Sequence, residues 1–143
     1  MSGVQAPRPR VTDVSRPYWE AARAHRLELQ RCDDCGEWIF YPRQVCSECL
    51  SPALSWHPMS GRGSVYSYTV LHSPPHPGFI DQLPLIVAIV ELEEGPHLTT
   101  NLTGIDPAAV TIGLPVTVCF DDLDEQTTLV KFQPADPAAI AAT

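Results

Sequence analysis

Cys32-Asp33-Asp34-Cys35-Gly36 and Cys46-Ser47-Glu48-Cys49 place four thiols in two C-x2-C turns separated by ten residues. A C-x2-C turn aims two thiolates at one point, and two such turns on facing hairpins supply a tetrahedral four-sulfur site. Gly36 follows the first pair, where backbone amides must approach the sulfurs unhindered. The spacing points to one structural zinc, because four thiolates leave no open position for water or substrate. Iron would accept the same ligands in a rubredoxin-like site, but nothing else in the chain suggests electron transfer. A thioredoxin-like dithiol would stand between a strand and a long helix, which is not the context here. The fifth cysteine, Cys119, sits in VTVCF and reads as a small buried apolar residue.

Other candidates offer weaker chemistry. His72, His76 and Asp81 share one proline-rich loop and could be imagined as an acid–base set. Proline-rich loops more often serve rigidity or binding, so this one reads as a stiff recognition element. Phe79, after Gly78 at its tip, is a candidate partner anchor, since buried aromatics dominate interfaces. Tyr18 and Trp19 could dock a partner or pack on the ribbon. Arg23, Arg26, Arg31 and Arg43 fall near the cysteines and could meet phosphates. Asp121, Asp122, Asp124 and Glu125 lack the glycine and spacing of a calcium loop and read as solvated.

The elements that must position these residues are mostly strands. Residues 1–12 read as a disordered lead. A helix is expected over 16–26, with Ser15 or Asp13 as cap and Pro17 in its first turn. LELQR (27–31) alternates like a short strand, and EWIFYP between the cysteine pairs could be another. SVYSYTVL (64–71), LIVAIVEL (85–92), HLTTNLT (97–103), PVTVCF (115–120) and TTLVKFQP (127–134) are expected strands, with Glu94-Gly95 as a hairpin turn. The division expected is 13–59 for helix and ribbon, 60–134 for the barrel, and 135–143 for a flexible tail. About five strands without long intervening helices suit a mainly β chain ending in a small barrel of the OB type.

Composition narrows the function classes. Of 143 residues, 44% are hydrophobic, enough for a real core. Neither a membrane-length apolar run nor a signal-peptide pattern is visible, which predicts a cytoplasmic protein with metal-bound rather than disulfide-bonded cysteines. Up to Arg62, eight basic residues stand against seven acids; beyond it, Lys131 stands alone against ten acids, a local balance of −9. Zinc ribbons and OB-folds often bind single-stranded nucleic acid, and Tyr66 and Tyr68 on one face would suit stacking. The acidic barrel half argues against that alternative, because such a groove must be positive.

The run LQRCDDCGEWIFYPRQVCSECLSPALSWHPMSGRGSVYSYTVLH, with PPHPGF, LPLIVAIVELEEGPHLTTNLTG and IGLPVTVCF, resembles the acyl-CoA-associated OB-fold proteins that carry an N-terminal rubredoxin-like zinc ribbon. The resemblance covers roughly residues 15–134. Its most specific parts are the paired cysteines, Ser60-Gly61-Arg62-Gly63, Pro77-Gly78-Phe79 and Glu94-Gly95-Pro96. It implies an N-terminal helix, the ribbon and a five-stranded OB barrel. It implies a non-catalytic accessory subunit of a thiolase-fold acyl-CoA enzyme: a thiolase, a lipid-transfer-type thiolase or an aldolase of steroid side-chain degradation. The thiolase-fold partner would carry the catalytic groups. Tyr18, Trp19, Arg23, Arg26, Arg43 and Phe79 are the expected contacts with partner or acyl-CoA. The family usually has Pro after the first cysteine of the second knuckle, where this chain has Ser47.

Overall fold

The computed structural model describes residues 5–136. The first four residues of the expected lead, and the expected tail from residue 137, lie outside the described residues.

Helix α1 spans Arg16–Arg23 and buries Tyr18, Ala21 and Ala22. Pro17 suits its first turn, where an N–H would lack a partner anyway. Ser15 occupies the N-cap position, but its side chain makes no cap hydrogen bond. It is bonded to Thr12 instead. The helix ends three residues earlier than its composition suggests, because the backbone closes on itself. Arg26 N–H donates to Ala21 O (2.8 Å) and His25 N–H to Ala22 O (2.9 Å). That is the paired closure of a Schellman motif, with the residue after the cap left-handed. His25 fills that position at φ 58°, which is costly for a residue with a Cβ. Contacts to the barrel hold it there. Its ring stacks on Phe120 at 5.0 Å and its Nε2 lies 3.0 Å from the Asp122 carboxylate.

The ribbon sheet has the order β2-β1-β3, with β1 at Glu28–Cys32, β2 at Trp38–Ile39 and β3 at Leu54–Pro58. Strand β2 is shorter than the run EWIFYP suggests. Strand β3 was not foreseen. LSWHP is short, contains a proline and is half-buried almost throughout, so no alternation marks it. Strand β1 is covered on both sides. Leu29 joins the apolar core shared with the barrel, while Cys32 packs with Ile39 and Cys46.

The barrel sheet runs β6-β5-β4-β7-β8, all antiparallel. Its strands are β4 (Arg62–Leu71), β5 (Leu85–Leu92), β6 (His97–Asn101), β7 (Pro115–Asp122) and β8 (Thr128–Pro134). A parallel bridge from Leu102 to Phe132 joins the two outer strands. Thr103 N–H also donates to Phe132 O (2.9 Å). Closure in this order produces the nearly closed five-stranded OB barrel expected from the sequence. Phe132, Val90, Val65 and Val116 are fully buried, and Tyr18, Leu27 and Leu29 join the same cluster from the helix and ribbon. One apolar core therefore runs from α1 through β1 into the barrel. Gly63 lets β4 and β5 approach closely; a Cβ there would stand 2.5 Å from Glu91 O.

Candidate metal centre

The first knuckle hangs between β1 and β2, and the second lies in the loop between β2 and β3. Their backbones repeat. Gly36 N–H donates to Cys32 O and Leu50 N–H to Cys46 O, both at 2.9 Å. Gly36 and Leu50, each four residues after the first cysteine of its turn, are both left-handed, at φ 78° and 65°. Glycine takes that conformation freely; Leu50 pays for a Cβ there.

The four Sγ atoms of Cys32, Cys35, Cys46 and Cys49 lie within 4.8 Å of one another. Cys32 Sγ is 3.5 Å from Cys49 Sγ, and Cys35 Sγ is 3.6 Å from Cys46 Sγ. A tetrahedron with metal–sulfur bonds of about 2.3 Å has edges of about 3.8 Å, so the donor set fits a tetrahedral ion. Cys35 N–H donates to Cys32 Sγ (3.4 Å) and Glu48 N–H to Cys46 Sγ (3.3 Å). Such amide bonds spread thiolate charge and orient the ligands. Without a metal, the Cys35 amide is the main influence lowering the Cys32 thiol to about 7. The Glu37 amide pulls Cys35 down, but burial and the neighbouring sulfurs outweigh it and raise that thiol to about 12. Cys32 and Cys46 are buried, while Cys35 and Cys49 are exposed. Among the described residues no other His, Cys, Asp or Glu joins these four metal-binding cysteines.

A residue that the sequence did not single out positions the second knuckle. Gln30 is 5% exposed. Its Oε1 accepts from Arg43 N–H (2.8 Å) and its Nε2 donates to Arg43 O (3.0 Å). Gln30 thus pins the backbone three residues before Cys46. In the sequence Gln30 falls at an ordinary polar position of the alternating run, two residues before a metal ligand, so the pattern gave no signal of this role. On the first knuckle, Arg31 Nε donates to Gly36 O (2.9 Å), and its guanidinium lies 4.8 Å from the centre of the Trp38 ring. Arg31 is therefore engaged in supporting the turn.

The remaining candidates separate. Tyr18 is buried, 5.1 Å from Trp19 and 5.7 Å from Phe40. Burial, with Tyr41 nearby, holds its phenol well above the ordinary value. Trp19 is half-buried and lines a cavity of about 410 Å³ with Phe40, Tyr41, Pro42 and Lys131. Phe79 is half-buried on a 3₁₀ turn, Pro77–Gln82, and lines an adjoining cavity with Ala6, Leu123, Leu129 and Lys131. Part of the lead lies here. Gly78 meets Ala6 so closely that a Cβ would be 2.3 Å from Ala6 N, and Arg8 Nε reaches Asp124 Oδ2 at 3.3 Å.

Arg23 lines a hollow with Glu20, Asp122, Asp124 and Glu125, an acidic setting for a phosphate ligand. Arg26 is paired with Glu28. Arg43 is exposed, and among the described residues its guanidinium forms no ion pair with a carboxylate. His76 Nδ1 accepts from Gly78 N–H (2.9 Å), so this ring caps a turn; His72 and Asp81 are exposed. Tyr66 and Tyr68 do not form a stacking pair on one face. A bulge between Val65 and Ser67 breaks the alternation. Tyr66 rests on His97 at 4.3 Å, whereas Tyr68 lies opposite buried Ala88 and donates to Val110 O (3.1 Å). Cys119 is half-buried rather than buried, with Sγ 3.6 Å from Thr103 Oγ1.

The acidic run is engaged rather than merely solvated. Asp121 accepts from Lys131 Nζ (2.7 Å). Thr128 Oγ1, then His25, hold the Asp122 carboxyl below the usual range. The amides of Gln126 and Thr127, then Arg8, do the same for Asp124.

Residues 19–55 match the family model described as the ChsH2 rubredoxin-like zinc ribbon domain. Residues 56–121 match that of the ChsH2 C-terminal OB-fold domain. A solved chain of the "Ltp2-ChsH2(DUF35) aldolase" is 41% identical, with a TM-score of 0.81 over 90% of this chain and 100% of that one. A probable enoyl-CoA hydratase alpha subunit of Thermomonospora curvata is 42% identical over 92% of this chain; the chain spans only 40% of that subunit's length. A DUF35 domain-containing scaffold protein of Methanothermobacter thermautotrophicus is 33% identical over 81% of this chain and 87% of its own length. With both family models matched in this order, and a DUF35 relative matched over most of its length, the chain belongs to the DUF35 family in its ChsH2 form, a rubredoxin-like zinc ribbon followed by an OB-fold.

Proposed function

We propose that this chain is a non-catalytic subunit of a thiolase-fold acyl-CoA enzyme, a thiolase, lipid-transfer-type thiolase or aldolase, and that it stabilises its partner. The carrying observation is the 41% identity to a chain of an aldolase assembly that this chain covers completely. The scaffold naming of a relative covered over 87% of its length supports the same reading. The chemistry agrees with it. The one concentrated donor cluster among the described residues has all four thiols committed to a tetrahedral ion, and that ion is zinc, held by Cys32, Cys35, Cys46 and Cys49. Reduced thiolates of this kind belong in the cytoplasm, and among the described residues no helix is long and apolar enough to cross a membrane. Residues 13–59 form the ribbon unit and 60–134 the barrel unit.

The partner contacts centre on Trp19 and Phe79, half-buried rings that line two adjoining cavities sharing Asn101, Leu129 and Lys131. Contact with the phosphates of acyl-CoA falls to Arg43, which follows the cavity residues Tyr41 and Pro42 and is free of carboxylates, rather than to Arg23 or Arg26. Tyr18 acts from within, as packing beneath Trp19. The test is isolation of the native complex and identification of the co-eluting chain. A thiolase-fold protein is expected, with one zinc per copy of this chain. Trp19→Ala or Phe79→Ala should weaken association at least about 30-fold, the loss typical of an aromatic anchor, without removing zinc. A chain that turns over acyl-CoA alone, or that elutes with no such partner, refutes the reading.

A further inference from the structure

We propose that the edge of β4 from Tyr66 to Leu71 receives an extended segment of the partner chain, which adds a sixth strand to the barrel sheet. The inference rests on the subunit reading above and deepens it by naming a second contact surface, besides the cavities at Trp19 and Phe79, and the form of the partner segment that fills it.

Strand β4 pairs with β5 from Gly63 to Leu71, but with β7 only from Arg62 to Ser64. The bulge after Val65 turns the strand away from β7. Beyond it, among the described residues, no strand pairs with the other side of β4. Every second residue there directs its N–H and C=O outward. Tyr66, Ser67, Tyr68 and Thr69 are four consecutive exposed residues. The stretch reads Tyr-Ser-Tyr-Thr-Val-Leu, with no charge and no proline. Soluble proteins blunt open edges with lysine, proline or very short strands. This edge is bulged at its start but otherwise carries none of these, so it is built to be covered.

What covers it follows from the backbone and the charge. A row of outward amides and carbonyls is matched by another strand, the mode of recognition called strand addition. Alternate side chains of that strand would continue the outer face formed by the half-buried Leu85, Val87 and Ile89 of β5. A second copy is disfavoured, because it would bring together two chains that beyond Arg62 each carry ten acids against one lysine. The occupant is therefore a neutral or basic extended segment of a different chain, apolar at alternate positions.

Amide hydrogen exchange on the free chain and on the native complex tests this. In the complex, amides between Tyr66 and Leu71 that exchange freely in the isolated chain should slow at least about tenfold. Thr69→Lys, an exposed change that charges the edge without touching the core, should weaken partner retention by at least about tenfold, with zinc content and melting temperature unchanged. A complex whose β4 amides exchange as in the free chain, or which Thr69→Lys leaves at wild-type affinity, overturns this proposal alone. Absence of any thiolase-fold partner overturns the subunit reading and this one with it. A concentration-dependent dimer of the isolated chain that Thr69→Lys dissolves assigns the edge to a second copy and also refutes the proposal.

Discussion

Gln30 offers the sharpest test of how the ribbon holds its metal. The substitution Gln30→Leu keeps most of the volume and removes both hydrogen bonds to the Arg43 backbone. Each bond contributes about 1 kcal/mol net. Arg43 is exposed, so water can re-satisfy part of its freed backbone. Leucine at a site 5% exposed recovers apolar burial, which keeps β1 in place. The remaining loss, about 1–2 kcal/mol, falls on the position of the second knuckle. Zinc affinity measured against a competing chelator should therefore drop about 5- to 30-fold. Thermal unfolding of the barrel should move little, because Gln30 faces the ribbon and not Phe132. Affinity unchanged within twofold would refute the argument that Gln30 sets the approach of Cys46 and Cys49. A barrel destabilised as much as the zinc site would refute the claim that the effect is local.

Four further substitutions test the backbone and the charges. Leu50→Gly removes a left-handed strain at a side chain that is 72% exposed, and chemical denaturation of the zinc-loaded chain should show a gain of up to about 1 kcal/mol; Gly36→Ala, the matching position of the first knuckle, should lose a similar amount. Gly63→Ala places a Cβ 2.5 Å from Glu91 O, so β4 and β5 must part, and the same measurement should show a loss of about 3 kcal/mol. Asp122 has a carboxyl lowered by Thr128 and then His25, so its contribution is present above the unfolded value and lost as pH falls through the folded one. Asp122→Asn should make barrel stability, followed by near-ultraviolet circular dichroism, less steep below the ordinary carboxylate range.

Much of this molecule was legible because its constraints are local. Cysteine spacing fixes a knuckle through the turn it requires, and the five barrel strands carry long β-branched runs. Five such strands without long intervening helices pointed to a small barrel, and the structure supplies their order. What escaped the sequence depends on partners distant in the chain. Strand β3 is a strand because Trp56 pairs with Gln30 and Ser55 with Arg31, not because LSWHP favours one. The helix stops at Arg23 because Phe120 and Asp122, about a hundred residues later, receive His25. Tyr66 and Tyr68 separate because one extra residue shifts the register, and no pattern of residue types announces a bulge. Arg31 and Gln30 looked like ordinary polar positions of a strand; only the folded ribbon shows one supporting Gly36 and the other holding Arg43.

The same distant contacts bear on how the metal reaches the rest of the chain. Met59 N–H donates to Leu27 O (2.8 Å) where β3 leaves the ribbon, and His25 ties the preceding turn to β7. Leu27 and Leu29 sit in the same apolar cluster as Phe132 and Val90. Strand β1 thus offers one side to the barrel and carries Cys32 on the other. Metal binding orders β1 by fixing Cys32, and an ordered β1 completes the wall of the barrel core. On the function proposed above, the metal would bear on the cavity beside Trp19 only through β1 and α1, because Leu27, Leu29 and Tyr18 share one apolar cluster with Trp19 packed against it. On this argument, stripping the metal should loosen α1 and the Trp19 cavity first, while the hydrogen-bonded pairs β4–β5 and β7–β8, whose ladders include none of the four ribbon cysteines, keep their order.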